Sequence, residues 1–231
     1  QLPIRNHINV QAVERSDEGF LVETNDGTYA TKHVIWAAGD YQYPSLRVFN
    51  GSEMCRHTST IASYADLEGD DFIVVGGYES GVDAAYHLAK RGKRVRLFDI
   101  GCPWEVGTSD PSIALSTYSL ERIRSHTFLN NVELFPNTPI ASIRQTERAY
   151  EVYALNGERF QTETMPILAS GFDGSHAVVA DLFEQRDDGF PLLSEHDEST
   201  KVPGLFLCGP AVRQGNQIFC FIYKYRQRFA V

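Results

Sequence analysis

Hydrophobic positions between Asp71 and Asp99 follow strand spacing, then helical spacing, then strand spacing again. Phe72 to Val75 is a continuous apolar run, which is typical of a strand buried on both faces. The next apolar positions recur at helical intervals. They are Val82, Ala85, Leu88 and Ala89. A second strand then runs up to Asp99, so this stretch predicts a strand–helix–strand unit.

Signals at both ends of the predicted helix fix its extent. Ser80 is placed to cap the N-terminus with its side chain. Lys90 and Arg91 fall where the helix dipole is negative, and Gly92 is placed for the turn that ends the helix.

The turn between the first strand and the helix is rich in glycine. A helix N-terminus offers unpaired N–H groups and partial positive charge to a phosphate. The dinucleotide fingerprint G-x-G-x-x-G has three glycines, of which the first and third are present here and Tyr78 takes the middle place. We predict that the whole turn binds a cofactor pyrophosphate; its residues are Gly76, Gly77, Tyr78, Glu79, Ser80 and Gly81.

Asp99 lies 23 residues beyond Gly76, at the end of the second strand. An acid at this point can accept hydrogen bonds from the ribose hydroxyls of an adenosine. The alternative is an ordinary strand–helix turn whose glycines serve packing alone.

Two segments of the chain repeat the same pattern. Four positions match at a constant separation of 130 residues, namely Val10 with Ile140, Val13 with Ile143, Phe20 with Tyr150 and Gly27 with Gly157. Gly39 then matches Gly171 at 132. Both copies predict a three-stranded meander followed by a strand that ends in Ala-x-Gly.

The repeat and the last residues predict that the chain is part of a longer protein. Gly76 precedes Gly171 by 95 residues, and an equivalent turn for Gly39 would fall upstream of Gln1. A helical pattern, IFCFIYKYRQRFAV, is still running at Val231.

The net charge and the composition of the chain limit the kinds of molecule that we expect it to bind. With 21 basic and 30 acidic residues the net charge is −9, which argues against nucleic acid and anionic membranes. No run approaches the 18 or so apolar residues that span a bilayer. The four cysteines form no C-x-x-C, so we expect free thiols, a cytoplasmic protein and no metal site. We expect a small-molecule substrate. The sequence is compatible both with a monomer and with a homo-oligomer.

Five segments of the chain, taken in order, carry a family resemblance. They are VIWAAGDYQYP, the HTSTIASY run from His57, VVGGYESGVDAA, PILASGFD, and KVPGLFLCGPAV with the final IFCFIYKYRQRFAV. Together they resemble flavoproteins with two dinucleotide-binding domains, a group that includes thioredoxin reductases and flavin-containing monooxygenases. The resemblance is greatest to monooxygenase-like bacterial members.

The resemblance implies an α/β fold with a Rossmann-like, three-layer NAD(P)-binding domain that carries a β-meander, plus an incomplete FAD-type domain. Residues 1–45 and 166–231 would belong to the FAD domain and 46–165 to the NAD(P)H domain. Gly171 would lie in a crossing between domains. Gly209 would end the last strand beneath the flavin, followed by Pro210 where relatives often have Asp. The final helix would start near Gly215 and Asn216. FAD itself is expected only in the full-length protein.

The resemblance further implies hydride transfer from NAD(P)H to flavin. The reduced flavin would then pass its electrons to oxygen, as in a monooxygenase-like enzyme. We favour NADH, because Asp99 would face the 2′-phosphate of NADPH. One alternative is a pyridine nucleotide–disulfide reductase without C-x-x-C that uses a cysteine such as Cys208 or Cys220; another is a non-catalytic NAD(P)-binding module. No catalytic residue is evident. His57 partly fits a monooxygenase fingerprint, although a linker histidine bonded to backbone is the simpler interpretation.

Overall fold

The computed structural model describes residues 3–108, 110, 112–215 and 217–219. These residues form two compact units. The first combines the chain up to residue 43 with the segment from residue 174 onward, and the second comprises residues 44–173. Within the described residues, no helix combines the length and apolar content needed to cross a bilayer.

Fifteen strands and three α-helices are defined in the described residues. The strands are β1 (Val10–Ser16), β2 (Gly19–Thr24), β3 (Gly27–Thr31), β4 (Val34–Trp36), β5 (Arg56–His57), β6 (Asp71–Val75), β7 (Arg94–Phe98), β8 (Val132–Phe135), β9 (Ile140–Gln145), β10 (Tyr150–Ala154), β11 (Arg159–Thr162), β12 (Ile167–Leu168), β13 (Leu205–Leu207), β14 (Arg213–Gln214) and β15 (Gln217–Ile218). The helices are α1 (Glu79–Ala89), α2 (Thr117–Ile123) and α3 (His126–Asn131).

A five-stranded parallel sheet forms the centre of the second unit. Its strand order is β5-β12-β6-β7-β8. The chain moves outward from β6 through β7 to β8, whereas β12 lies on the other side of β6. This reversal makes the crevice between the carboxyl ends of β6 and β12 a topological switch point, where open α/β sheets bind their ligands.

The second unit has three layers, because alternate side chains of the central strands enter two different cores. Val74 and Leu97 pack with Leu88 of α1 in one buried cluster. Ile73 and Phe98 point to the opposite face and pack with residues of β9 and β10. Helices therefore cover one face of the sheet and a meander the other, and the predicted Rossmann-like, three-layer arrangement is confirmed.

Helix α1 begins two residues earlier than the sequence predicts. Its N-cap is Tyr78, in extended conformation and without a side-chain cap, so the prediction that Ser80 caps the helix is wrong. Ser80 lies inside the first turn, and its side chain is exposed. Gly92 adopts the left-handed φ of 75° beyond the helix, where Lys93 N–H donates to Leu88 O at 3.2 Å.

The two repeated segments both form antiparallel three-stranded meanders, in the orders β1-β2-β3 and β11-β10-β9. Each first strand carries a β-bulge. In one copy Val10 pairs with Thr24 and Ala12 with Glu23, which leaves Gln11 unpaired. In the other, Ile140 pairs with Ala154 and Ser142 with Tyr153, which leaves Ala141 unpaired. The bulged residues are themselves separated by 130 positions.

The first unit has its own core and a two-stranded parallel sheet. Strand β4 pairs with β13, and the buried Trp36 packs with Leu205 and Leu207. Strand β12 belongs to the central sheet of the other unit, which extends to residue 173, whereas the family resemblance implies a domain boundary near residue 166.

The predicted start of a final helix near Gly215 is wrong for the described residues. Gln217 and Ile218 form β15, which pairs with β14 in a short hairpin. Asn216 and the remaining positions of the predicted helix, with Cys220 among them, lie outside the described residues.

Candidate nucleotide-binding site

A cleft of about 510 Å³ opens at the carboxyl edge of the central sheet, at the switch point. Six of the ten predicted site residues line it. They are Gly76, Tyr78, Glu79, Ser80, Asp99 and Gly171. Its remaining lining is mostly apolar, with Phe49, Phe98 and Ile140 among its walls. Such a cleft suits a ligand with flat, apolar rings and a polar centre.

Gly76 and Gly81 allow close packing behind the cleft. Gly76 has a φ of 102°, and a Cβ there would lie 2.3 Å from the carbonyl oxygen of Ala169. A Cβ on Gly81 would lie 1.7 Å from the carbonyl oxygen of Gly76. Both distances are below any real contact, so only glycine lets α1 start this close to the ends of β6 and β12.

Gly77 is held from both sides by side chains distant in sequence. Its N–H donates to Asp99 Oδ2 at 2.6 Å, and its carbonyl accepts from Trp104 Nε1 at 2.9 Å. A Cβ at this position would lie 2.5 Å from the Trp104 indole. The second glycine of the Gly-Gly pair is therefore required by the packing of Trp104.

Asp99 is fixed at the cleft by backbone groups. Its Oδ1 accepts from Gly101 N–H at 2.8 Å, while Oδ2 accepts from Gly77 N–H. Its own N–H donates to Phe135 O at 3.1 Å, which ties it to the end of β8. The carboxylate therefore faces the ligand space in a set orientation, with lone pairs left for further donors.

Tyr78 lines the cleft without filling it. Its hydroxyl donates to Ala114 O at 2.7 Å, and its ring packs with the helix-side core. The φ of −84° at Tyr78 is open to any residue, so this departure from the glycine fingerprint does not strain the backbone.

Glu79 is the first residue of α1, and its charge is bound by groups at the start of α2. Its carboxylate accepts from Ser116 N–H, from Ser116 Oγ at 3.0 Å and from Ser119 Oγ at 2.5 Å. The first N–H groups of any helix lack intrahelical partners. Glu79 and Ser80 line the cleft, so the first donors of α1 lie at its wall, beside a carboxylate that serines hold.

Two further predicted residues, Gly209 and Pro210, belong to the other unit. Gly39 and Gly209 follow adjacent parallel strands, and among the described residues no atom lies within 4 Å of a Cβ built on either. Such open backbone fits the close approach of a flat ring. Pro210 has no N–H and no polar side chain, and its carbonyl accepts from Arg213, so it cannot supply the carboxylate that the resemblance implies at this position.

The three described cysteines are free thiols with raised pKa values. Burial, with Glu53 nearby, raises the pKa of Cys55 to about 12. Burial followed by the charge of Asp197 raises the pKa of Cys208, and burial followed by Glu105 raises that of Cys102. None of these thiols is activated as a thiolate nucleophile.

His57 is buried at 2% exposure and bonded at both ring nitrogens. Nδ1 accepts from Ser59 N–H at 3.2 Å, and Nε2 lies 3.0 Å from Gly171 O. Burial lowers the pKa of His57 below 6.5, although the bond to Gly171 opposes this shift. The ring is thus bonded to backbone, as in the simpler of the two interpretations.

Sequence reasoning missed Trp104, Ser116 and Ser119. They lie about 20 to 40 positions from the turn that they contact, and no local pattern marks such contacts. The doubled glycine was the one available signal, because a second glycine indicates that another group packs closely there.

A glycine turn at the switch point of a parallel sheet, with an acid at the end of the next strand, defines a dinucleotide-binding domain. Residues 1–209 match the family model described as pyridine nucleotide-disulphide oxidoreductase. The chain belongs to this family, which consists of flavin-dependent oxidoreductases that use FAD and NAD(P)H.

Individual relatives are distant. Bacilliredoxin reductase Bdr of Bacillus subtilis is 23% identical over 210 residues, which cover 87% of this chain and 60% of the relative. The structure of bacillithiol disulfide reductase Bdr from Bacillus cereus superposes with a TM-score of 0.72 at 22% identity, covering 92% of this chain and 65% of that one. The structure of a flavin-containing monooxygenase from Stenotrophomonas maltophilia superposes with a TM-score of 0.67 at 18% identity. The match covers 90% of this chain and 63% of the monooxygenase. The chain thus spans less than two thirds of these proteins.

Proposed function

We propose that residues 44–173 bind NAD(P)H for an FAD-dependent oxidoreductase, in which the nicotinamide reduces the flavin. The observation that carries this proposal is the Gly76–Gly81 turn, open to a cleft of about 510 Å³ and bonded through Gly77 to Asp99. When bound, NAD(P)H supplies a hydride, and the protein supplies its orientation.

In this proposal each part of the cleft receives one part of the cofactor. The diphosphate binds the first N–H groups of α1, at residues 79–81, where the helix dipole favours an anion. Asp99 accepts the adenosine ribose hydroxyls. The nicotinamide half extends towards Ala169 and Gly171, which line the other side of the switch point.

We further propose that NADH is preferred over NADPH. The two backbone bonds to Asp99 keep its carboxylate from turning away from a 2′-phosphate. A phosphate beside this fixed charge would be repelled, and displacing Asp99 would leave two N–H groups without their acceptor.

For the second half-reaction we propose oxygen as the electron acceptor, as in a monooxygenase-like enzyme. The lack of a C-x-x-C pair and the raised pKa values of Cys55, Cys102 and Cys208 support it. The second candidate is disulfide reduction, favoured by the description of the family and by the two Bdr relatives.

Binding is tested first, by calorimetric titration of the protein with NADH and NADPH. We expect saturable binding of one equivalent, tighter for NADH. No heat and no thermal shift with either nucleotide would contradict the proposal. A full-length protein that is colourless, binds NADH and consumes none would instead support a non-catalytic binding module.

The acceptor is tested with the full-length, FAD-bound protein. NADH loss is followed with oxygen present, then without oxygen in the presence of a small disulfide. Oxygen-dependent consumption supports the monooxygenase-like proposal. Anaerobic consumption that requires the disulfide would identify the reductase instead.

A further inference from the structure

We propose that His57 is a positioning residue for the nucleotide cleft, because its Nε2–H holds the backbone turn at Gly171. This inference rests on the proposed function, since Gly171 lines the cleft in which the nucleotide is placed. His57 itself is absent from the lining of that cleft, so its effect on a ligand would be indirect.

The hydrogen bonds of His57 define which ring nitrogen carries the proton. Ser59 N–H, at 3.2 Å, requires a lone pair on Nδ1. The neutral ring therefore carries its hydrogen on Nε2, which donates to Gly171 O at 3.0 Å. With 2% of the residue exposed, water cannot easily replace either bond.

The backbone conformation of Gly171 needs hydrogen bonds to hold it in place. Its φ of 75° is left-handed, and glycine is free to leave that region. Its carbonyl accepts a second bond, from Ser45 N–H at 3.1 Å, but Ser45 belongs to the adjoining loop. His57 instead connects the turn to strand β5, which pairs directly with β12.

The surroundings of the turn support the same conclusion. Ser170 Oγ donates to Ser45 O at 2.5 Å, and the ring of Phe172 meets that of His57 edge-on at 5.4 Å between centroids. Each of the three successive residues 170–172 thus contacts either Ser45 or His57, neither of which lines the cleft. Loss of the Nε2 donor would leave the carbonyl of Gly171 with the bond from Ser45 alone.

Two substitutions separate the contacts of the two ring nitrogens, of which Nδ1 also lies 2.8 Å from Ser59 Oγ. His57→Asn retains an acceptor near the Nδ1 position for Ser59 but cannot reach Gly171. His57→Gln can present a donor near the Nε2 position but loses the acceptor for Ser59. Ser63→Ala is the matched control, because it removes the cap of the neighbouring 3₁₀ turn, a bond from Ala65 N–H at 3.1 Å.

The readouts are the NADH dissociation constant, the melting temperature, and amide hydrogen exchange of the 168–173 segment without ligand. We expect His57→Asn to raise the dissociation constant roughly fivefold to tenfold, as for one lost hydrogen bond. Exchange in 168–173 should rise with it. His57→Gln should stay within about twofold of wild type, and Ser63→Ala should change neither binding nor exchange.

Gly171→Ala tests the turn if His57→Asn does not fold. A Cβ meets no described atom within 4 Å there, so the cost comes from φ alone. We expect weaker NADH binding with His57 intact. Equal dissociation constants for wild type, His57→Asn and Gly171→Ala, or equal losses in the Asn and Gln variants, would overturn this inference alone. Failure of the wild type to bind either nucleotide would overturn the proposed function and this inference together.

Discussion

Asp99 has two backbone partners in the structure before any ligand is considered. Its oxygens accept from Gly77 and Gly101, which are 22 and 2 residues away in sequence. Because a carboxylate has more lone pairs than these two bonds use, it can hold the turn and still accept from a sugar. One side chain thus links the shape of the phosphate turn to recognition of the ribose.

Asp99→Asn tests this dual role. Asparagine supplies one acceptor oxygen instead of two, so one backbone N–H or the ribose loses its partner. We expect the NADH dissociation constant to rise roughly tenfold and the NADPH constant to change less, since the charge facing a 2′-phosphate is removed. Fluorescence titration with both nucleotides measures the ratio. Glu163→Gln, an exposed acid elsewhere on the unit, is the control; an unchanged ratio in Asp99→Asn would contradict the assignment.

Gly81→Ala tests the close approach of α1 to β6. The new Cβ would lie 1.7 Å from Gly76 O, so the helix must shift. We expect the free energy of unfolding to fall by about 1–3 kcal/mol, as for other overpacked sites, with weaker NADH binding. Urea titration measures the first effect. Gly107→Ala should be tolerated, because no described atom lies within 4 Å of its Cβ position.

His57 also predicts a pH dependence of stability. Burial lowers its pKa from 6.5 in the folded protein, so the unfolded chain binds the proton more readily. The stabilising contribution is complete above pH 6.5 and is lost as the pH falls towards the folded pKa. Between about pH 7.5 and about pH 5.5, wild type should lose more unfolding free energy than His57→Gln. Parallel curves for the two proteins would contradict this prediction.

At the scale of elements, the start of α1 is tied to the start of α2. Ser116 is the N-cap of α2, where its Oγ accepts from Ser119 N–H at 3.2 Å and donates to Glu79 at 3.0 Å. Glu79 thereby places a negative charge at the positive end of a second helix.

Ser116→Ala measures the strength of this tie. We expect a loss of about 1–2 kcal/mol of unfolding free energy, from the cap and from the bond to Glu79. Ser125→Ala is the matched control, because Ser125 caps α3 through Phe128 N–H at 3.3 Å and donates to a backbone carbonyl, Arg122 O at 2.6 Å, in place of a carboxylate. Chemical denaturation compares the two. Equal losses would indicate that the bond to the Glu79 carboxylate stabilises the protein no more than a bond to a backbone carbonyl does.

The sequence predicts the elements better than it predicts their contacts. Strands β6 and β7 and helix α1 follow from local spacing, because buried strands and helix faces leave their period in the chain. The start of α1 was misplaced at Ser80, since a polar residue inside the first turn looks like a cap. The bond from Gly77 to Asp99 and the packing of Trp104 arise only when distant segments meet, and no local signal contains them.

On the scale of the whole molecule, each unit contains one of the two tryptophans. Trp36 is buried in the first unit and Trp104 lies beside Gly77 in the second. The variant Trp36→Phe keeps only Trp104, so its tryptophan emission reports on the unit with the proposed nucleotide site. The variant Trp104→Phe keeps only Trp36 and reports on the other unit.

Nucleotide binding should stabilise the unit that Trp104 reports. At 100 times its dissociation constant, NAD⁺ should raise the free energy of unfolding by about 2.7 kcal/mol. Thermal unfolding of the Trp36→Phe variant, followed by tryptophan emission, measures the shift; the oxidised nucleotide avoids absorption in the emission range. A transition that does not move, with NAD⁺ present at saturation, would contradict placement of the site in residues 44–173.

The bulges at Gln11 and Ala141 each add one residue to their strand, which shifts by one position the alternation of side chains between the two faces. Strand side chains alternate between faces, so residues three apart should point in opposite directions. Yet Ile140 and Ile143 enter one core, and Val10 and Val13 enter another. Deleting Ala141 would restore strict alternation and rotate one of the two isoleucines into solvent. An identical phase correction at matching places is stronger evidence for common descent of the two meanders than any pair of similar letters.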